Sequence, residues 1–434
     1  MTRHLLARLA RMDRREVAWR TQAAARIGGD RLRTAVTRPR WDRRDLLARL
    51  ARTPALDGVR ASLRSRHWDA AHTALSAHFA ARPARFVIAP SLISSVRHRV
   101  RSTFPDSARG AVARADRLLQ GDFDLLAYRG LRFGQGALLT GASWRRDPVH
   151  DRQAPQTFWA DVPYLDPACG DHKIIWELNR HQHWLPLGRA YWLTGDRRYR
   201  DRCLAELASW LDANPPLIGV NWASMLELAF RSLSWIWALH FFVDDRPGTQ
   251  PGQLDAAPWT VDLLLGIDRQ LEHVEHNLSY YFSPNTHLLG EALALYVGGR
   301  ALPELARSGR WERIGRQVLV AEMDRQITGD GGHSERSTHY HRYALDFYLL
   351  ALAVARITHD PVGPAFERAV GQLAGAARLL ADDGGRVAHI GDDDGGTLMP
   401  IAGRAADDWR DSLAAAAALL DRPGLCIGSA PEET

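Results

Sequence analysis

The chain has 434 residues, 46% of them hydrophobic and 24% charged, with a formal net charge of +6. That length is ample for a large buried core, and the composition is ordinary for a soluble globular protein. The three cysteines, at 169, 203 and 426, make neither a metal set nor a disulfide framework, and no run of ~18 apolar residues reads as a membrane span. Of the 56 basic residues only Lys173 is lysine; the arginines are scattered rather than gathered into a stripe, which argues against a nucleic-acid partner.

Taken in chain order, almost every periodic segment is helical. At the N-terminus Leu5, Leu6, Leu9 and Met12 make a short basic amphipathic helix, read as packed on the body, with an anionic membrane surface as the other reading. No secretory signal is legible there, so the sequence alone points to the cytoplasm. RFVIA (85–89) has the look of a short strand. RRYRDRCLAELASWLDANPP places Tyr199, Cys203, Leu207 and Leu211 on one face and stops at Pro215-Pro216. NWASMLELAFRSLSWIWALHFF aligns Trp222, Met225, Leu226, Ala229, Phe230, Leu233 and Trp237. Helices follow over WTVDLLLGIDRQLEHVEHNLSYYF, SPNTHLLGEALALYV, WERIGRQVLVAEMDRQI, YALDFYLLALAVARI and FERAVGQLAGAARLLA, then a second short strand pattern, RVAHI (386–390). No repeat of fixed period appears, so a regular solenoid is disfavoured. The fold class read from this is all-α. The last stretch turns Gly- and Asp-rich at Asp392-Asp393-Asp394, which reads as a solvated turn rather than a calcium loop.

Four stretches carry more polar and aromatic residues than packing needs: WELNRHQHW (176–184), GVNWASMLELAFR (219–231), SPNTHLLGE (283–291) and GGHSERSTHYHRYALD (331–346). Taken alone, Glu227 and Arg231 are an i,i+4 helix-surface pair, and any one histidine is a hydrogen-bonded structural group. Together, and with 15 tryptophans in the chain, they point to a polar cleft lined by flat side chains, the usual look of a carbohydrate site.

The order WELNRHQH, a TGD turn, NWASMLELAFR, SPNTHLLGEA and then E-x-S-x-x-YH resembles the N-terminal domain of the heparinase II/III family of polysaccharide lyases, over about residues 120–400. The resemblance implies an incomplete (α/α) toroid followed by a C-terminal β-sandwich. It also implies cleavage of an acidic, uronic-acid polysaccharide by β-elimination, and a periplasmic location. Three regions follow: a basic helical arm over 1–60, the toroid over 61–385, and an exit linker over 386–434 toward a β-sandwich. A HGHAD-like stretch of that second domain, which supplies a histidine and in some members a metal, is not present in these residues. No cofactor is expected in the toroid itself.

Elimination removes the C5 proton beside a uronate carboxylate, so that carboxylate must be neutralised. In the family an Asn and a His of the SPN-x-H motif do this, and a Tyr of the YH motif moves the proton. Carried over by motif, these are Asn285, His287 and Tyr340. Many members read Asn-Asn-His; here Thr286 stands directly before the histidine, which shifts the amide by ~100° around the helix. The substrate-binding set expected to converge on Asn285 is Trp176, Asn179, Arg180, His183, Asn221, Trp222, Glu227, Arg231, Glu291 and His341. Two other functions remain open. An (α/α)-barrel glycoside hydrolase would draw its two carboxylates from Glu227, Glu291, Glu335 and Asp346. A non-catalytic glycan-binding domain would bind without turnover.

Overall fold

Helices dominate because most segments carry an apolar stripe at helical spacing, and several are apolar all round. A computed structural model describes residues 12–89, 92–243 and 257–428. The amphipathic stretch built on Leu5, Leu6 and Leu9 lies outside these residues. The N-terminal region contributes α1 (Arg14–Val36), α2 (Leu46–Arg49), α3 (Asp57–Arg64), α4 (Trp68–Ala81), α5 (Ile93–Thr103) and α6 (Pro105–Leu119). Two small antiparallel hairpins follow, β1 (Phe123–Leu125) with β2 (Tyr128–Leu131), and β3 (Arg146–Asp147) with β4 (Arg152–Gln153). Then come α7 (His172–Asn179), α8 (Trp184–Thr194), α9 (Arg197–Ala213), α10 (Met225–Phe242), α11 (Trp259–His276), α12 (Thr286–Ala301), α13 (Ser308–Gln326), α14 (Thr338–Ile357), α15 (Gly363–Leu380) and α16 (Arg410–Leu420).

From α8 onward the helices pair as hairpins, α8/α9, α10/α11, α12/α13 and α14/α15, with the first of each pair inside. The inner helices α8, α10, α12 and α14 pack side by side in order, and α6 packs on α8. The result is an incomplete (α/α) toroid. The inner position follows from composition. In α10 and α12 nearly every residue is buried, including Leu228, Phe230, Leu288, Leu293 and Tyr296, and a helix that is apolar all round must be surrounded. The closest pair, α12 and α13, is made possible by glycine. A Cβ on Gly315 would lie 2.4 Å from the Tyr296 nitrogen, and one on Gly299 2.5 Å from the Ser308 carbonyl.

The N-terminal region wraps the outside. α2 and α4 lie on α11, and α1 is tied down by Arg20 to the Tyr281 carbonyl, Arg26 to the His276 carbonyl and Arg31 to Asp161. Neither RFVIA nor RVAHI is a strand; Arg386 and Val387 make only isolated bridges, and 85–89 makes none. The stretch 386–428, read as an exit linker, instead folds back: α16 packs on α14 and α15, and Leu398, Trp409 and Leu413 are buried. No helix among the described residues is long and apolar enough to cross a membrane.

Candidate active site

The inner helices run in parallel, so their N-terminal ends gather at one end of the ring. Three of them carry polar side chains there: Glu227 on α10, His287 on α12, and His339 and Tyr340 on α14, with Tyr343 one turn further on. The positive ends of three helix dipoles therefore face a common space, a setting that favours anions. The fourth wall is α7 and the residue that caps it. Lys173, Trp176, Glu177 and Arg180 recur at i, i+3, i+4 and i+7, which puts them on one helical face.

Arg180 is the pivot. Its guanidinium grips Glu227 with two bonds, 2.6 and 3.0 Å, reaches Glu177 at 2.6 Å and Tyr343 Oη at 3.4 Å, and lies over the Phe230 ring at 4.6 Å. Burial pushes the Glu177 carboxyl up; Arg180 pulls against this, and the Glu227 charge adds to it. The i,i+4 pair of Glu227 with Arg231 does not form, because Arg180 takes Glu227 instead.

Asn285 caps α12. Its Oδ1 accepts from the His287 N–H at 3.1 Å, while its Nδ2 donates to Glu335 at 2.8 Å. Thr286 donates to the same Glu335 carboxylate from both its N–H (3.0 Å) and its hydroxyl. Burial, with Asp392 and Asp394 nearby, raises the Glu335 carboxyl against the pull of those donors. The His287 side chain makes no hydrogen bond to the described residues. Burial lowers its pKa, and Glu227, Asp394 and Arg180 all lie within electrostatic reach. The Tyr340 hydroxyl donates to Asp394 at 2.7 Å and Asp392 at 3.1 Å. Burial, that bond to Asp394 and the two charges raise its proton affinity well above an ordinary tyrosine. Trp176 is half-buried, donates to the Val220 carbonyl at 2.9 Å, meets His172 edge-on and lies against Tyr164 at a tilt.

Several expected binding residues lie elsewhere. Asn179, Asn221, Trp222 and Arg231 are fully buried beneath the cleft. Arg231 donates to Gln270 Oε1 and to the carbonyls of Asn179 and Asn221 and lies 4.6 Å over Trp210. Asn179 and Asn221 both donate to the Trp144 carbonyl. Burial lowers the Arg231 pKa to about 9. Because Arg231 holds the Asn179 carbonyl, this layer fixes the end of α7 and thereby Arg180. His183 pairs with Glu206 at 2.8 Å inside the ring. His341 points away, donating toward the Leu373 carbonyl at 2.9 Å and stacking on Trp409. Glu291 is buried and takes the Ser279 N–H and hydroxyl at 2.8 and 2.6 Å. In each case the polar stripe that looked outward faces another helix, because these helices have no solvent side.

Cleft residues not in the expected set are Lys173, Glu177, Glu335, Tyr343 and the acidic run at 392–394. The spacing of Lys173, Glu177 and Arg180 was visible on α7. The run was read as solvated, and Asp392 and Asp393 are exposed; Asp394 is half-buried, and both it and Asp392 accept from Tyr340. No group of three or more His, Cys, Asp or Glu among the described residues is arranged to hold a metal ion.

The ring is the helical toroid of the heparinase III structures. A crystal structure of heparinase III overlays with a TM-score of 0.57 at 18% identity, covering 79% of this chain and 49% of that one. A heparan sulfate lyase of Pedobacter heparinus gives 0.50 at 19%, covering 80% of this chain and 50% of the other. The family model for the heparinase II/III N-terminus matches residues 50–362, and the chain belongs to that family. Among curated relatives, a heparin-sulfate lyase of Bacteroides stercoris is 27% identical over 207 residues, 45% of this chain and 31% of the relative. One from Bacteroides thetaiotaomicron is 30% identical over 177 residues, 40% of this chain and 24% of the relative. The alignments thus span about a third or less of these relatives and about half of the solved neighbours.

Proposed function

We propose that this chain is the toroid of a lyase that cleaves a uronic-acid-containing polysaccharide by β-elimination. The observation that carries the reading is the gathering of Tyr340, His287, Lys173 and Arg180 at three helix N-termini, a place suited to a carboxylate-bearing ligand. Family membership sets the reaction class. Of the hydrolase candidates, Asp346 is buried against Ser412, with its pKa pushed up to about 6 by burial. Glu291 is buried against Ser279 and Glu227 is clasped by Arg180, so no free pair of carboxylates flanks the cleft.

The roles follow from protonation. Tyr340, held protonated by its acidic neighbours in the resting chain, gives its phenol proton to the leaving oxygen, and the phenolate so formed takes the C5 proton, which restores the hydroxyl. Arg342 takes no part, being turned to the Ala405, Ala406 and Asp408 carbonyls. His287 and the positive end of the α12 dipole neutralise the uronate. Asn285 joins them once its amide is released from Glu335, whose raised proton affinity weakens that carboxylate's hold.

The test is product analysis on heparan sulfate and alginate, with the protein in its natural full length. Elimination leaves an unsaturated uronate that absorbs in the ultraviolet. Tyr340→Phe should abolish that absorbance while leaving saccharide binding intact, and His287→Ala should weaken both. Full activity in Tyr340→Phe, or new reducing ends without the absorbance, refutes the reading.

A further inference from the structure

The acidic run crosses the cleft as a strap. Asp394 pairs with Lys173 and accepts from Tyr340; Asp392 also accepts from Tyr340. Behind it the Gly395 carbonyl accepts from Tyr343 at 3.2 Å and meets His339 Nε2 at 2.8 Å. Gln182 donates to the carbonyls of Thr397 and Leu398 at 2.6 and 2.8 Å. The strap lies directly on the catalytic wall: a Cβ on Gly396 would come within 2.8 Å of Glu177 and 3.0 Å of the Tyr343 hydroxyl. Gly391, Gly395 and Gly396 all have φ between +72° and +82°, a backbone open to glycine at little cost.

Two further facts bear on what this arrangement does. Asp394 is held as an anion: against partial burial, Lys173 and Tyr340 lower its pKa. Its seat, on an ammonium within reach of His287, is also what a uronate carboxylate needs. In a chain whose other basic residues are all arginine, an ammonium stands here. Its flexible stem and rotatable donors can follow a carboxylate that comes and goes, where a guanidinium fork would fix one geometry.

We propose that Lys173 is the seat for a uronate carboxylate of the polysaccharide, and that Asp394 occupies it in the resting chain, holding Tyr340 as well, as a built-in stand-in that substrate displaces. This rests on the lyase reading above. With the strap in place the cleft holds Asp392 and Asp394 beside Glu335, Glu177 and Glu227, an environment that repels an acidic chain. With the strap displaced, Lys173 is freed to take the incoming carboxylate and the Tyr340 hydroxyl is released for the proton transfer.

The experiment uses a heparan sulfate tetrasaccharide and its carboxyl-reduced form. Binding is followed by calorimetry, and hydrogen exchange of 391–397 is followed in parallel. The acidic tetrasaccharide should raise exchange over 391–397, and the reduced one should not. The Asp392→Asn/Asp394→Asn protein should bind about tenfold tighter, the gain expected when a competing state that is ~90% populated is removed. Lys173→Met should bind about tenfold more weakly. Tetrasaccharide binding with 391–397 undisturbed, and both variants at wild-type affinity, overturns the stand-in while leaving the lyase reading intact. Absence of acidic-saccharide binding by both wild type and the Asn variant overturns the lyase reading and this inference with it.

Discussion

Glu291→Gln should make the protein more stable in alkali. Glu291 is sealed inside the ring with only Ser279 as a polar partner, and burial pushes its pKa from 4.5 to about 8, against the pull of the Ser279 bonds. The folded protein therefore keeps a proton that the unfolded chain releases, so this carboxyl removes stability as pH rises from 4.5 to about 8. Each tenfold change in proton affinity is worth about 1.4 kcal/mol, which sets a ceiling of about 5 kcal/mol on the loss above pH 8. Glutamine keeps the shape and can accept the Ser279 N–H while donating to its hydroxyl, and it does not titrate. Urea unfolding of both proteins at pH 5, 7 and 9 measures the difference. The two should match near pH 5 and diverge steadily toward pH 9, with the variant ahead by about 2–5 kcal/mol. Identical slopes with pH would refute the assignment of Glu291 as a neutral structural group.

Arg180→Met leaves Glu177 and Glu227 buried without their cation, and should cost about 3–5 kcal/mol in urea unfolding at neutral pH. Gly315→Ala forces α12 and α13 apart at their closest approach and should cost about 1–3 kcal/mol, read as a fall in the thermal midpoint. Asn285→Ala loses the α12 cap and should cost about 1 kcal/mol, while Asn285→Asp retains the cap but sets a second carboxylate against Glu335; its stability should therefore improve as pH falls.

The helical ring was legible because its evidence is local. Spacing such as Tyr199, Cys203, Leu207 and Leu211 is a property of one segment, and Pro215-Pro216 ends it in the same few residues. The four stretches that point to a cleft were also readable, and Arg180, Glu227, His287 and Tyr340 do share one. What periodicity cannot show is the partner of a polar stripe. Arg231 and Asn179 sit on stripes much like that of Arg180, yet they face a neighbouring helix and make its buried hydrogen bonds. The β1–β2 and β3–β4 hairpins escaped notice because their strands are two to four residues long, too short to show a period of two. The return of Asp392 and Asp394 to Tyr340 escaped it because the contact joins residues more than fifty apart.

The outer wrapping of the ring by α1 sets an order of assembly during synthesis. Arg26 meets the His276 carbonyl across 250 residues of chain, and Arg20 meets the Tyr281 carbonyl across 261. At ~5–20 residues per second on a ribosome, the arm waits roughly 10–50 s before its docking surface exists. The hairpins of the ring, by contrast, join neighbours in sequence and close as they emerge. α1 is suited to the delay, since Ala23 is its one buried residue and it exposes little apolar surface while unpartnered. The arm can thus fasten only after the hairpins α8/α9 and α10/α11 have been made, and it is the first element expected to loosen under mild denaturant, by protease cleavage within 14–36 before the ring itself yields.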